Sequence, residues 1–305
     1  MIAFCIRRAL WMVLTVWAVF TVSFFLMRAV PGGPFDSERA LEPEIERNLK
    51  RKYNLDAPLY QQYFQTLGQV VRGDLGHCMR IGDYPVATVI REGLPISAAL
   101  GSVALSFALV LGLLAGVTSA VSRGSAADVG LRLVATVGIA LPNFVIAGLC
   151  ILVFVFQFGW FPAAGWGSPI QVVLPAFCLG APYAAYVARI TRTSMLDVLS
   201  QDFIRTAKAK GASPGRVTFI HALRGALLPV ASFLGPAVAG ILTGSLVVEQ
   251  IFAVPGLGSY FVQAAILRDY TLAMGVVMLY TVLLYTMNWL VDMSYAALDP
   301  RVELN

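Results

Sequence analysis

The 305-residue chain is 58% hydrophobic and only 13% charged, with a mean hydropathy of +0.75. Soluble domains carry about a quarter charged residues, so this composition excludes an ordinary water-soluble globule and selects lipid as the solvent. The net charge of +5 does not point to nucleic acid: the basic residues gather in loops on one inferred side of a membrane, and the aromatics sit in apolar runs or at their ends.

Cys5, Cys78, Cys150 and Cys178 are scattered, with no CxxC and no Cys/His cluster, so neither a metal site nor a disulfide framework is expected. Cys150 and Cys178 read as small buried hydrophobes, and Cys78 as an exposed free thiol.

In chain order, the first apolar run follows Arg7 and Arg8 and extends from about Ala9 to Val30. It is too long for a cleaved leader and lacks an A-x-A site, so a retained signal anchor (residues 1–30) is expected. Pro31-Gly32-Gly33-Pro34 ends it. A polar, external region then occupies 31–95, with two amphipathic helices. In the second, Asp56 and Pro58 supply start signals, and Leu59, Tyr63, Phe64, Leu67, Val70 and Val71 recur at helical spacing. This narrow stripe is expected to lie against the membrane face of the bundle.

Further spans are expected over about Ile96–Val121, Leu131–Phe158, Val172–Ile190, Leu227–Ile251 and Thr271–Leu298, making about six. Residues 96–298 would form the membrane core and 299–305 a short tail. Arg123 and Arg132 bracket the second–third connection, and Arg189 and Arg192 precede the fourth–fifth. The third–fourth connection, GWFPAAGWGSP, holds Trp160 and Trp166 but no Lys or Arg. This asymmetry places both termini in the cytoplasm. The basic residues of 31–95 do not contradict that, because long loops cross regardless of charge.

Small residues recur every fourth position in three spans: Ala108/Gly112/Gly116/Ala120, Ala176/Gly180/Ala184/Ala188, and Gly235/Ala239/Thr243 beside Gly240/Gly244. Such stripes let helix backbones approach closely in lipid. Packing within the chain is the first expectation, with an interface to a partner chain as the alternative. No internal repeat is visible, unlike many single-chain secondary transporters. Prolines 142, 175, 182 and 236 interrupt spans, where kinks can line a cavity or be absorbed by neighbouring helices.

One stretch does not fit a plain membrane bundle. RTAKAKGASPGRVTFIHALRGALLP (205–229) carries Arg205, Lys208, Lys210, Arg216 and Arg224 and no acid. Ser200 can cap a helix with Asp202 in its first turn and Lys208 and Lys210 in its last, matching the helix dipole. Gly211 suits the left-handed helix-ending position. Ser213-Pro214 then reads as N-cap plus first residue of a second short helix through Ile220 and Leu223. The apolar side (Phe203, Ile204, Ala207, Val217 and Ile220) is expected to fill a partner's groove, with a basic rim. A plain positive-inside loop would need only a few cations and no capped hinge.

This stretch resembles the cytoplasmic coupling loop of ABC-importer permeases, the EAA-x3-G element. Arg205-Thr206-Ala207, three residues and Gly211 stand at its matching positions, with Arg-Thr where the general pattern has Glu-Ala. PGGPFDSERALEPE (31–44), YNLDAPLYQQYFQTLGQVVRGDLG (53–76), GPAVAGILTGSLVVEQIFAVPGLG (235–258), RDYTLAMG (268–275) and VDMSYAALDPR (291–301) extend the likeness to the peptide/nickel permease family. The opening favours its oligopeptide branch over dipeptide or nickel relatives.

The resemblance implies an all-α integral membrane protein with the type I ABC importer permease fold. It also implies a heterodimer with a related permease C subunit, two ABC ATPases carrying ATP and Mg, and an extracytoplasmic peptide-binding protein. The location implied is a bacterial inner membrane. Phe203, Ile204, Arg205, Thr206, Ala207, Lys208, Ala209, Lys210, Gly211, Ser213, Pro214 and Arg216, within a loop spanning 193–226, would dock the ATPase.

The chain itself contains no GxxxxGK[ST], so any ATP energy must enter through a contact. HExxH and GxSxG are also absent, and no catalytic residue is assigned. An ion-coupled secondary transporter, the rival class, usually buries ionisable residues in its spans. Here Arg28, Glu249 and Asp292 fall towards span ends, and His77 and His221 fall outside the membrane core. Glu249, with the Pro255-Gly256 turn, reads as gate or helix-end packing, and Asp292 as a group paired with a neighbour. Substrate-contacting residues are not legible.

Overall fold

A computed structural model describes residues 2–30, 32–35 and 43–298; the PGGPFDSERALEPE opening and the carboxyl tail fall largely or wholly outside them. The described residues form twelve α-helices. These are α1 (Ile2–Ala29), α2 (Pro43–Lys52), α3 (Leu59–Val71), α4 (Val86–Val121), α5 (Ala126–Ala140), α6 (Asn143–Cys150), α7 (Pro169–Leu199), α8 (Asp202–Ala209), α9 (Pro214–Arg216), α10 (Leu223–Ile251), α11 (Leu257–Leu267) and α12 (Tyr270–Leu298). Wider π-helical turns extend α6 through Ile151–Gln157 and join α9 to α10 through Val217–Ala222. Among the described residues, five helices are long and apolar enough to cross a membrane, making six spans if the bent pair α5/α6 counts as one.

Two spans and one connection differ from expectation. α4 starts at Val86 and runs through Pro95, ten residues earlier than its apolar run suggests. The expected Leu131–Phe158 span breaks by 113° at Leu141-Pro142. Proline disfavours helical backbone at the preceding residue, and Leu141 takes φ −84, ψ 130. Finally, α11 occupies what reads as loop in the sequence.

The chain divides into two compact units, Met1–Ile96 with Pro255–Asn305, and Ser97–Val254. In the first, Phe20 and Phe24 of α1 bury against Met274 and Met278 of α12, and α3 adds Tyr63, Leu67 and Val70 to that core. The Tyr63 hydroxyl lies 2.9 Å from Thr21 Oγ1, about two turns before the end of α1, so α3 lies alongside that helix. Its stripe is therefore split: Leu59, Phe64 and Val71 stay exposed.

Cys78 corrects the expected exposed thiol. It is 1% exposed, because the loop folds over it through Cys78 N–H to Tyr84 O (2.9 Å) and Val86 N–H to Gly76 O (3.0 Å). Burial, then the charge of Asp269, pushes its pKa up to about 12. Cys150 and Cys178 are buried as expected.

In the second unit, two small-residue stripes meet within the chain. A Cβ at Gly180 would lie 2.5 Å from the Ala104 carbonyl oxygen, and one at Gly112 would lie 2.7 Å from that of Ala184. At Gly116 the corresponding distance to Ala188 O is also 2.7 Å. These contacts join α4 to α7 backbone to backbone, the packing that small residues permit in lipid. In the third stripe, Gly240 receives the Tyr183 hydroxyl, while the side-chain surroundings of Thr243 and Gly244 lie outside the described residues.

Candidate functional site

The basic insert folds as helix, glycine turn, helix, with two departures from expectation. Ser200 does not cap α8. It ends α7, donating its hydroxyl to Asp197 O at 2.7 Å, and Gln201 takes the N-cap position without a side-chain bond. The second helix is not a separate short element. α9 runs through the π-helical turn directly into α10, so Arg216 and Arg224 stand on the first turns of a span.

The glycine turn is as the sequence implies. Gly211 has φ +79, its N–H reaches Lys208 O at 3.0 Å, and Ala212 N–H reaches Ala207 O at 3.1 Å. This pair of bonds is the Schellman closure of a helix, which needs left-handed backbone at the glycine. Two residues on, Ser213 Oγ accepts from Arg216 N–H at 3.4 Å and Pro214 opens α9. Asp202 and Arg205 form an exposed pair at 3.2 Å, which contributes little.

The apolar side of the insert also divides. Ile204 and Val217 are buried, packed in one cluster with Ala120 of α4, Met195 of α7, and Ala222 and Ala226. They plug the insert onto its own chain and are not available to a partner. Phe203 and Ile220 face outward as expected, joined by Phe219, which the sequence reading passed over. Arg205, Thr206, Lys208, Ala209, Lys210, Ser213, Pro214 and Arg216 are exposed, and Ala207 is half-buried. The result is an exposed basic and aromatic face on an anchored base.

A polar cluster missed in the sequence lies at the same end of these helices. Asp128, only 1% exposed, accepts from Arg192 Nε (2.8 Å) and Nη2 (3.0 Å), from Ser119 Oγ (2.5 Å) and from Gly124 N–H (3.0 Å). Arg132 approaches at 3.5 Å. Ser119 neighbours Ala120 of the plug, and Arg192 lies one turn before Met195, so the cluster ties α4, α5 and α7 together beside the insert. A sequence signal existed: Ser125-Ala-Ala-Asp128 matches a capping motif, and Ser125 Oγ accepts Asp128 N–H at 3.3 Å.

Glu249 is fully buried two residues before the end of α10, and its carbonyl takes Val254 N–H at 2.8 Å. It stands about 40 Å along α10 from the insert by helical rise, so the two are separate places. Pro255 is exposed, while Gly256 is buried as the N-cap of α11. Asp292 falls within α12, but its side chain lies outside the described residues.

Residues 108–304 match the family described as binding-protein-dependent transport system inner membrane component, and residues 1–90 match its N-terminal membrane component. The chain belongs to this family. It is 44% identical over 305 residues to the oligopeptide transport system permease protein OppB of Haemophilus influenzae, covering 99% of this chain and 100% of that one. It is 43% identical to the dipeptide transport system permease protein DppB of Bacillus subtilis, over 100% of this chain and 99% of that one. The OppB of Salmonella typhimurium is 42% identical, over 99% and 100%.

Among solved structures, the MetNI methionine ABC transporter in inward-facing form superposes with a TM-score of 0.58 at 19% identity, over 69% of this chain and 96% of that one. An amino acid ABC transporter gives 0.54 at 19%, over 69% and 94%. The fold is therefore that of type I ABC importer permeases. As a family member, this permease is a multi-pass membrane transport subunit that works with further permease and ATPase subunits.

Proposed function

We propose that this permease forms half of the membrane path of an ATP-driven oligopeptide importer. It pairs with a related C-type permease, rests on two ATPases that carry ATP and Mg, and receives peptide from an extracytoplasmic binding protein. The observation that carries the reading is end-to-end identity of 44% with an OppB permease, joined to the anchored helix–Gly211–helix insert. Both termini and the insert face the cytoplasm of a bacterial inner membrane. Phe203, the exposed cations through Arg216, and Ile220 seat in the ATPase. Ile204 and Val217 transmit its motion into α4, α7 and α10. Glu249, with Pro255 and Gly256, packs the far-side gate, and Asp292, towards the cytoplasmic end of the last span, pairs with a neighbour.

A dipeptide cargo is the second reading, favoured by the nearly equal identity to a DppB permease; a nickel-type cargo of the same family ranks below both. The test is reconstitution in vesicles with the sister permease, both ATPases and the binding protein, comparing a pentapeptide with a dipeptide. ATP-dependent pentapeptide uptake is expected. Uptake of the dipeptide alone would select the second reading. Accumulation by this chain alone, driven by protons or sodium, would overturn both.

A further inference from the structure

The first unit holds a 340 Å³ cavity with no role in the coupling scheme, bounded by the end of α1, by α3 and the loop after it, and by the start of α12. Its size lies at the lower end of small-molecule sites, about 300–1,000 Å³.

Arg28, in the last turn of α1, lines it. Its guanidinium carbon lies 3.6 Å over the Phe24 ring, Nη1 donates to Phe24 O at 3.3 Å, and Nε donates to Gln62 Oε1 at 3.0 Å. Gln62 is 7% exposed and held in turn: its amide donates to Leu55 O (3.0 Å) and Ala57 O (2.8 Å), which aims Oε1 at the arginine. Two of five guanidinium N–H groups are thus used, and among the described residues no carboxylate lies within ion-pair distance. A half-buried cation fixed in this way, and given no anion by the described residues, favours a carboxylate ligand, bound through its remaining N–H groups.

The other walls match a peptide. Thr66 donates its hydroxyl to Gln62 O (2.7 Å) and Gln65 Oε1 accepts from Asn54 Nδ2, so what these walls offer main-chain N–H and C=O is the Gln69 amide, the Gln65 NH2 and the Thr66 oxygen as an acceptor. Asp74 is exposed at the cavity, with one oxygen accepting Gly76 N–H at 2.9 Å and no ion-pair partner among the described residues. Asp83, the other acid on the lining, is already engaged by Lys52 at 2.8 Å.

We propose that this cleft binds a short peptide on the permease itself, Arg28 taking the α-carboxylate and Asp74 the α-ammonium. The proposal rests on the peptide-import reading and names a site for that cargo on the external side.

Full-length chain in lipid nanodiscs would be titrated calorimetrically with trialanine, its C-terminal amide and its N-acetyl form. Trialanine should bind, and each blocked form should bind about tenfold more weakly, the loss expected for one charge-assisted contact. Arg28→Gln should erase the preference for the free carboxylate alone, and Asp74→Asn the preference for the free amine alone. A misfolded protein would lose both preferences together, and exposed Asp74 supplies the test if Arg28→Gln does not fold. Equal affinity for all three peptides, no binding, or a preference surviving both substitutions would overturn the proposal. So would a co-purifying phospholipid shed by Arg28→Gln without trialanine binding, which would make the cleft a headgroup seat. Peptide uptake by the complete complex without cleft binding would sink the site and leave the import reading standing; binding without uptake would do the reverse.

Discussion

At Gly211 the backbone stands at φ +79, where a β-branched side chain costs on the order of 1–3 kcal/mol. No neighbouring atom lies near the position of a missing Cβ, so the penalty is conformational and not steric crowding. Gly211→Val should therefore leave membrane insertion intact, undo the two closing bonds of α8, and reduce co-purification of the ATPases several-fold. Gly211→Asn, which tolerates left-handed backbone, should keep most of it. Unchanged co-purification with valine would remove the docking role from this turn.

The elements carry a different lesson. Ile204 has no exposed surface and is surrounded by Ala120, Met195, Val217 and Ala222, whereas its neighbour Phe203 is 47% exposed. Ile204→Ala should cost about 2–5 kcal/mol of local stability and speed hydrogen exchange across α8. Phe203→Ala should leave exchange unchanged and weaken only the partner contact. If both variants exchange like the wild type, α8 is not anchored by this plug.

The sequence placed Gly211, Ser213-Pro214 and the α4/α7 stripes because each rests on local geometry or regular spacing. It did not separate Ile204 from Phe203, since adjacent apolar residues on a short helix gain their inward or outward sense only from the elements they meet. The early start of α4 was hidden by Arg91, Glu92 and Pro95, which read as polar loop and breaker although the helix continues through them. Pro142 was legible as an interruption of its span, through the restriction proline places on Leu141, but nothing local fixed a bend as large as 113°. Asp128 and Arg192 are 64 positions apart, and nothing short-range announces a pair that only folding of α5 against α7 creates.

For the molecule as a whole, the coupling scheme and the cleft both depend on which face is which. The insert carries five cations and no acid between Arg205 and Pro229, while the segment from Gly159 to Pro169 has two tryptophans and no Lys or Arg. Positive residues are retained in the cytoplasm at insertion, so these segments should lie on opposite sides. Against a background with all four cysteines replaced, Lys208→Cys should react with a membrane-impermeant maleimide only after the cells are permeabilised. Ala163→Cys, in the tryptophan-flanked segment, should react in spheroplasts directly. Lys208 is exposed at the end of α8, and Ala163 is exposed as well, so in cells lacking the partner ATPases a failure to label reports sidedness and not burial. Labelling of Lys208→Cys from outside would invert the topology. It would put the aromatic and basic face out of reach of any cytoplasmic ATPase, and the Arg28 cleft on the wrong side to meet incoming peptide.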